Sequence, residues 1–168
     1  MVTLNNVVQT VVEGIWRKVL IADGDHYQYK DLDTELALDP LIPEILPETP
    51  DSNPESGPFY NAASYALVEL FGEVNRHTKS TKRRVKTELQ DSLQIIELAW
   101  DGEQLSKYVL QLINRKYQKG SRMSGKHHRY GTLRAGYFLS QIGGEVSIEN
   151  FSDGLYVVRN VVKIPIQR

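Results

Sequence analysis

Two segments, residues 82–100 and 145–166, each read as a strand that turns back on itself, and this pair of hairpins constrains the fold most. In the first, Val85, Thr87 and Leu89 alternate with charged residues, and Gln90-Asp91-Ser92 turns the chain. Leu93, Ile95 and either Ile96 or Leu98 then lead to Trp100, and Asp101-Gly102 closes the strand. In the second, "EVSIENFSDGLYVVRNVVKIPI", the turn is Ser152-Asp153-Gly154 and the last strand is long. Hairpins pair antiparallel, so helices interspersed with them must cover the sheet. The expected fold is an α/β (α+β) two-layer sandwich: a mixed, largely antiparallel sheet with helices on one face.

Helical spacing supplies those helices. Phe59, Ala63, Ala66, Leu67, Leu70 and Val74 follow a 3.6-residue period, giving a helix to about Thr78. Leu105, Tyr108, Val109, Leu112 and Ile113 mark a second over 104–118. Leu133, Tyr137, Phe138 and Ile142 mark a third, stopped by Gly143-Gly144. Leu4, Val8, Val11, Ile15 and Val19 predict a helix over 3–21, with Thr3 as its cap. Residues 23–58 hold six of the seven prolines and read as an irregular acidic connector. The expected organisation is an N-terminal helix (1–22), the connector (23–58) and a main unit (59–168), together one domain.

Composition narrows the function classes. Net charge is -1, so electrostatic function must come from local patches. There is no cysteine, which excludes disulfides, thiol catalysis and Cys-ligated metal, and fits a reducing cytoplasm. The N-terminus lacks a basic region followed by an apolar core, and no apolar run approaches the roughly 20 residues of a bilayer span. A soluble cytoplasmic protein is expected, with no membrane partner.

"ELFGEVNRH" places Glu69, Glu73 and His77 on one helix line, one turn apart. Such a line suits a metal site, a catalytic constellation, an anchor for a nucleotide's cation, or a solvated face. The cations Lys79, Lys82, Arg83, Arg84 and Lys86, with the basic loop 115–129, read as a soluble edge more readily than a nucleic-acid surface, because no aromatic platform is interleaved.

The order of elements, with three motifs in register, resembles the ATP-binding domain of sensor histidine kinases, a member of the GHKL ATPases. "YALVELFGEVNRHTKSTKRRVKTEL" looks like that family's N-box helix and following strand, and "LQIIELAWDGEQL" like the strand and loop carrying its adenine-binding aspartate. "YGTLRAGYFLSQIGGEVSIENFSDGLYVVRNVVKIPI" is similar to its last glycine box, helix and final hairpin. The resemblance covers about residues 59–166. It implies ATP and Mg²⁺ as cofactors, Glu69 as the catalytic acid, Glu73 as metal ligand, and His77, Asp101, Gly102, Lys126, Gly131 and Arg134 around the nucleotide. Lys126 falls in a cationic lid with His127, His128 and Arg129. It also implies signalling by phosphotransfer with a response regulator or a separate phosphoacceptor domain, or as a homodimer. The chain departs from the pattern at Glu73, where the family has asparagine, at Gln104 for a glycine, at Gly154-Leu155 for Gly-Thr, and in a lid with fewer glycines. The alternative expectation is a non-catalytic regulatory or dimerising module that no longer binds nucleotide.

Overall fold

The computed structural model describes residues 2–16, 18–45, 58–120 and 130–166. Nine strands and four α-helices occur among them: β1 (Val2–Thr3), α1 (Leu4–Val11), β2 (Lys18–Asp23), β3 (His26–Asp31), β4 (Asp33–Leu38), β5 (Glu44–Ile45), α2 (Pro58–His77), β6 (Lys82–Gln90), β7 (Leu93–Trp100), α3 (Lys107–Lys119), α4 (Tyr130–Ser140), β8 (Glu145–Asp153) and β9 (Tyr156–Pro165). The main sheet has five strands in the order β4-β6-β7-β9-β8. Both hairpins lie in it, and only the β4–β6 pair is parallel. Strand alternation sorts β7: Gln94, Ile96, Leu98 and Trp100 form the row continuous with the core, and Glu97 and Ala99 the opposite face.

The helices cover one face of this sheet. Phe59, Ala63, Ala66, Leu67, Leu70, Phe71 and Val74 are buried along α2, which packs on α1 and α4. Helix α3 packs on α4 and β8. Gly136 allows the α3–α4 approach, since a Cβ there would stand 2.1 Å from Tyr117 O. Gly143, at φ 71, ends α4, and Gly144 N–H donates to Leu139 O at 2.8 Å.

On the opposite face Glu97 accepts from Arg84 Nη2 at 2.7 Å and from Arg159 Nη1 at 2.8 Å. Arg84 also pairs with Asp153 at 2.8 Å, and Lys86 stands 3.7 Å from Glu88. These cations of the basic run are therefore engaged within the sheet. Arg83 differs: it lies on the helix-facing side and is only 1% exposed. Its Nε donates to Ser80 Oγ at 3.0 Å, and its Nη1 to Asn75 Oδ1. Burial pushes its pKa down to about 10, partly opposed by the nearby Asp101 carboxylate.

The N-terminal third differs from the sequence expectation. The helix capped by Thr3 ends at Val11, and a π-helical turn, Val12–Trp16, follows. Thr3 and Asn6 form a reciprocal capping box, with Asn6 N–H donating to Thr3 Oγ1 at 3.2 Å. The chain then turns extended rather than helical to residue 21. The run Val19-Leu20-Ile21 favours strand, and Gly24, at φ 60, supplies the tight β2–β3 turn. The stretch expected to be irregular from residue 23 also contributes β4, an edge strand of the main sheet. Its Leu36 and Leu38 pack against the core, and the first proline comes only at residue 40. Asp39 closes the strand end, accepting from the backbone N–H groups of Leu41 at 2.9 Å and Leu89 at 3.0 Å. No described helix is long and apolar enough to cross a membrane.

Candidate functional site

The line Glu69, Glu73 and His77 lies on α2, beneath the first turn of α4. Gly131 makes the approach possible: a Cβ there would stand 2.6 Å from Glu69 Oε2 and 2.6 Å from Glu73 Oε1. The two carboxylates therefore converge on one backbone atom of α4. Each faces a cation from the chain itself. Arg134, one turn along α4, donates through Nε to Glu69 Oε1 at 2.9 Å and through Nη2 to the same oxygen. Arg76 Nη2 donates to Glu73 Oε1 at 3.1 Å, and His77 Nε2 stands 3.3 Å from Glu73 Oε2. Glu73 is buried and Glu69 nearly so, whereas Arg76 is 56% exposed and Arg134 38%, so solvent screens both pairs from the cation's side.

Asp101 lies at the end of β7. Its Oδ1 accepts from the backbone N–H of Thr81 at 2.7 Å and of Lys82 at 2.9 Å, and its Oδ2 from the Thr81 hydroxyl at 2.8 Å. Partial burial alone would raise its pKa; the hydrogen bonds from Lys82 and Thr81 outweigh that and hold it below the ordinary carboxylate value. Its carboxylate thus fastens the start of β6. Gly102 follows at φ 112, a conformation suited to glycine.

The residue facing the helices is the preceding one. Trp100 is 3% exposed and belongs to the core cluster. It lines two spaces. One is an open groove of about 510 Å³ bordered by His77, Lys79, Asp101, Gly102, Glu103 and Leu105. The other is a small recess of about 30 Å³ between Glu73, His77, Leu105, Tyr117, Thr132 and Asn160. A water needs roughly 10–15 Å³ of such space and a drug-sized ligand about 300–1,000 Å³, so the recess has no room for a purine.

The structure thus brings together Glu69, Glu73, Gly131 and Arg134, joins His77 to Glu73, and places Asp101 and Gly102 in the lining of one groove with His77. Lys126, like the whole of 121–129, lies outside the described residues. Among the described residues no group of three or more His, Asp or Glu side chains is placed to hold a metal ion. Sequence reasoning missed Arg76, Trp100, Tyr117, Thr132 and Asn160. For Trp100 a signal existed, since Ile96, Leu98 and Trp100 share one parity.

No family model and no curated protein matches the sequence. Solved structures do match. The catalytic domain of histidine kinase ThkA, in a nucleotide-free form, superimposes with a TM-score of 0.61 at 12% identity, covering 97% of this chain and 92% of that one. A mycobacterial sensor histidine kinase, MprB, gives 0.56 at 9% identity, with 96% and 91% covered. Acinetobacter baumannii histidine kinase AdeS gives 0.59 at 11% identity over 99% of this chain and 66% of that one. Identities this low speak to architecture alone, and the architecture is shared across nearly the whole chain: it is the ATP-binding domain fold of sensor histidine kinases.

Proposed function

We propose that this chain works in signalling as a non-catalytic regulatory or dimerising module built on the kinase ATP-binding fold. The observation that carries the reading is the engagement of both α2 carboxylates by the chain's own cations. Phosphoryl transfer through Glu69 needs that carboxylate beside the reacting groups, and Arg134 holds it instead. Glu73, the residue that would ligate magnesium, already faces Arg76 and His77. The small recess beside Glu73 supports the same reading, because about 30 Å³ holds no more than a water or two there. In this reading Glu69 and Glu73 face Arg134, Arg76 and His77 rather than Mg²⁺. The partner in this reading is a response regulator, a separate phosphoacceptor domain or a second copy of the chain, in the cytoplasm.

A second reading, an ATP–Mg²⁺-binding domain serving phosphotransfer, draws on the open groove. Asp101, Gly102 and His77 all line that groove of about 510 Å³. In that reading Asp101 reads adenine, Glu73 holds the cation, Glu69 is catalytic, and His77, Lys126, Gly131 and Arg134 surround the phosphates. Calorimetric titration of the full chain with Mg·ATP separates the two. No saturable heat up to millimolar nucleotide is expected. Saturable binding that Asp101→Asn abolishes would establish the second reading.

A further inference from the structure

We infer that the free edge of β4 pairs antiparallel with the same strand of a second copy, joining the two main sheets into one across a two-fold axis at Leu36. The inference deepens the dimerising side of the proposed function and rests on it.

The two edges of the main sheet are finished differently. At the β8 edge, side-chain amides occupy the backbone. Asn114 Nδ2 donates to Ile148 O at 2.9 Å, and Asn114 Oδ1 accepts from Ile148 N–H at 2.9 Å. Asn150 Nδ2 donates to Leu105 O at 2.7 Å, and Asn150 Oδ1 accepts from Leu105 N–H at 2.9 Å. The β8–β9 ladder also loses register between Asn150 and Asp153. Such devices keep a further strand from adding. Strand β4, at the other edge, carries no proline, no lysine and no register shift, and has a strand neighbour on one side only. Asp39 N–H donates to Thr87 O at 3.2 Å, in register with the parallel ladder, so the odd-numbered residues of β4 bond to β6. The N–H and C=O groups of Thr34, Leu36 and Leu38 therefore point away from the sheet. Their side chains are half-buried, with Leu36 and Leu38 packed against the core.

The sequence of β4 matches a copy of itself. With Leu36 on the axis, Leu36 stands opposite Leu36, Thr34 opposite Leu38 and Glu35 opposite Ala37 of the second copy. Thr34, Leu36 and Leu38 are the residues whose backbone groups face outward, so this register forms about six main-chain hydrogen bonds. On the outer face Ala37 lies beside Lys86 of its own sheet. Glu35 therefore looks across a small residue toward Lys86 of the second copy, and two-fold symmetry makes this charge match twice. Both side chains are exposed. The neighbouring registers are poorer. A two-residue slip one way sets Glu35 on Glu35, and the other way sets Thr34 opposite Pro40, which has no N–H. At the ladder ends Asp33 meets Asp39, whose carboxylate oxygens already accept from the backbone N–H groups of Leu41 and Leu89.

Sedimentation equilibrium of the full chain at low ionic strength, up to about 1 mM, tests the pairing. One strand pair is a small interface, so a dimer with Kd on the order of 100 μM is expected. Glu35→Lys and Lys86→Glu should each weaken self-association about tenfold, because each sets two like-charged pairs across the axis. Mixed in equal amounts, the two variants should associate with each other about as well as the native chain does with itself, since opposite charges then meet at both places. Leu36→Pro removes an N–H that faces away from the sheet, so it should keep the native circular dichroism and lose the dimer. Should Leu36→Pro not fold, the mixture of charge-reversed chains decides alone. A native chain that stays monomeric overturns the inference and leaves the β4 edge to a strand of another protein. A dimer that either charge reversal leaves intact overturns it too, as does a mixture of the two that fails to associate. The Mg·ATP titration remains separate: a monomer that takes up no nucleotide removes the β4 pairing and leaves the regulatory reading, whereas nucleotide binding removes the non-catalytic reading.

Discussion

Gly136→Ala tests the packing that holds the site in shape. The added methyl would sit 2.1 Å from Tyr117 O, 2.9 Å from Tyr117 C and 3.0 Å from Tyr117 Cα. A carbon and a carbonyl oxygen rest at about 3.3 Å or more, so the two helices must separate by roughly 1 Å. All three atoms belong to the backbone of α3, and no side-chain rotation relieves the clash. Separation loosens Ile113 and Tyr117 and disturbs the Tyr117–Asn160 hydrogen bond at 2.9 Å. Overpacking of this kind costs about 1–3 kcal/mol, occasionally more, and the geometry puts this case at or above the upper end. The better helix propensity of alanine returns about 1 kcal/mol. A net loss of about 2–3 kcal/mol is expected, or about 4–10 °C in melting temperature. Urea unfolding followed by circular dichroism measures it. Gly14→Ala is the control, since a Cβ there meets nothing within 4 Å. Its stability should stay within about 1 kcal/mol of the native chain. A Gly136→Ala variant as stable as the native protein would refute the close α3–α4 crossing and the site geometry built on it.

Asp101→Asn should change the acid side of the stability profile. The native carboxylate titrates below its ordinary value of 3.8, so its contribution is fully present above that value and is lost as pH falls through the folded pKa. The urea midpoint of the variant should therefore lie below that of the native chain at pH 7, with the gap shrinking below about pH 4; a gap independent of pH would count against the backbone cap. Arg83→Ala should cost about 3 kcal/mol or more, because it empties a fully buried site, while Arg83→Met, similar in volume and uncharged, should recover most of that loss in denaturant midpoint. Equal loss in both variants would mean that the charge, rather than the packing, is what this position needs.

Much of the fold was legible because apolar period and turn chemistry agreed locally. The stripe from Phe59 to Val74 gave α2, and the turns at Asp91 and Gly154 gave the hairpins of the main sheet. The N-terminal third was misread for a physical reason. Val, Ile and Leu at helical spacing in 15–21 are also good strand residues, and the Asp23-Gly24-Asp25 turn that decides between them lay just beyond the stripe. In the site, Glu69, Glu73 and His77 were visible because one helix carries them. The cation on Glu69 was not: Arg134 is 65 residues away in sequence, and helix periodicity is silent on such pairs. Asp101 drew attention as a carboxylate before a glycine, yet a one-residue step along a strand reverses the face, and the indole of Trp100 takes the inward place.

The central claim is that Arg134 and Arg76 engage Glu69 and Glu73, so that this chain takes up no Mg·ATP. Amide spectra of the ¹⁵N-labelled full chain, recorded with increasing Mg·ATP, test it most directly at His77, Gly102, Gly131 and Thr132. The account expects these four resonances to stay where they are at millimolar nucleotide. Saturable, concerted movement of the four would contradict it.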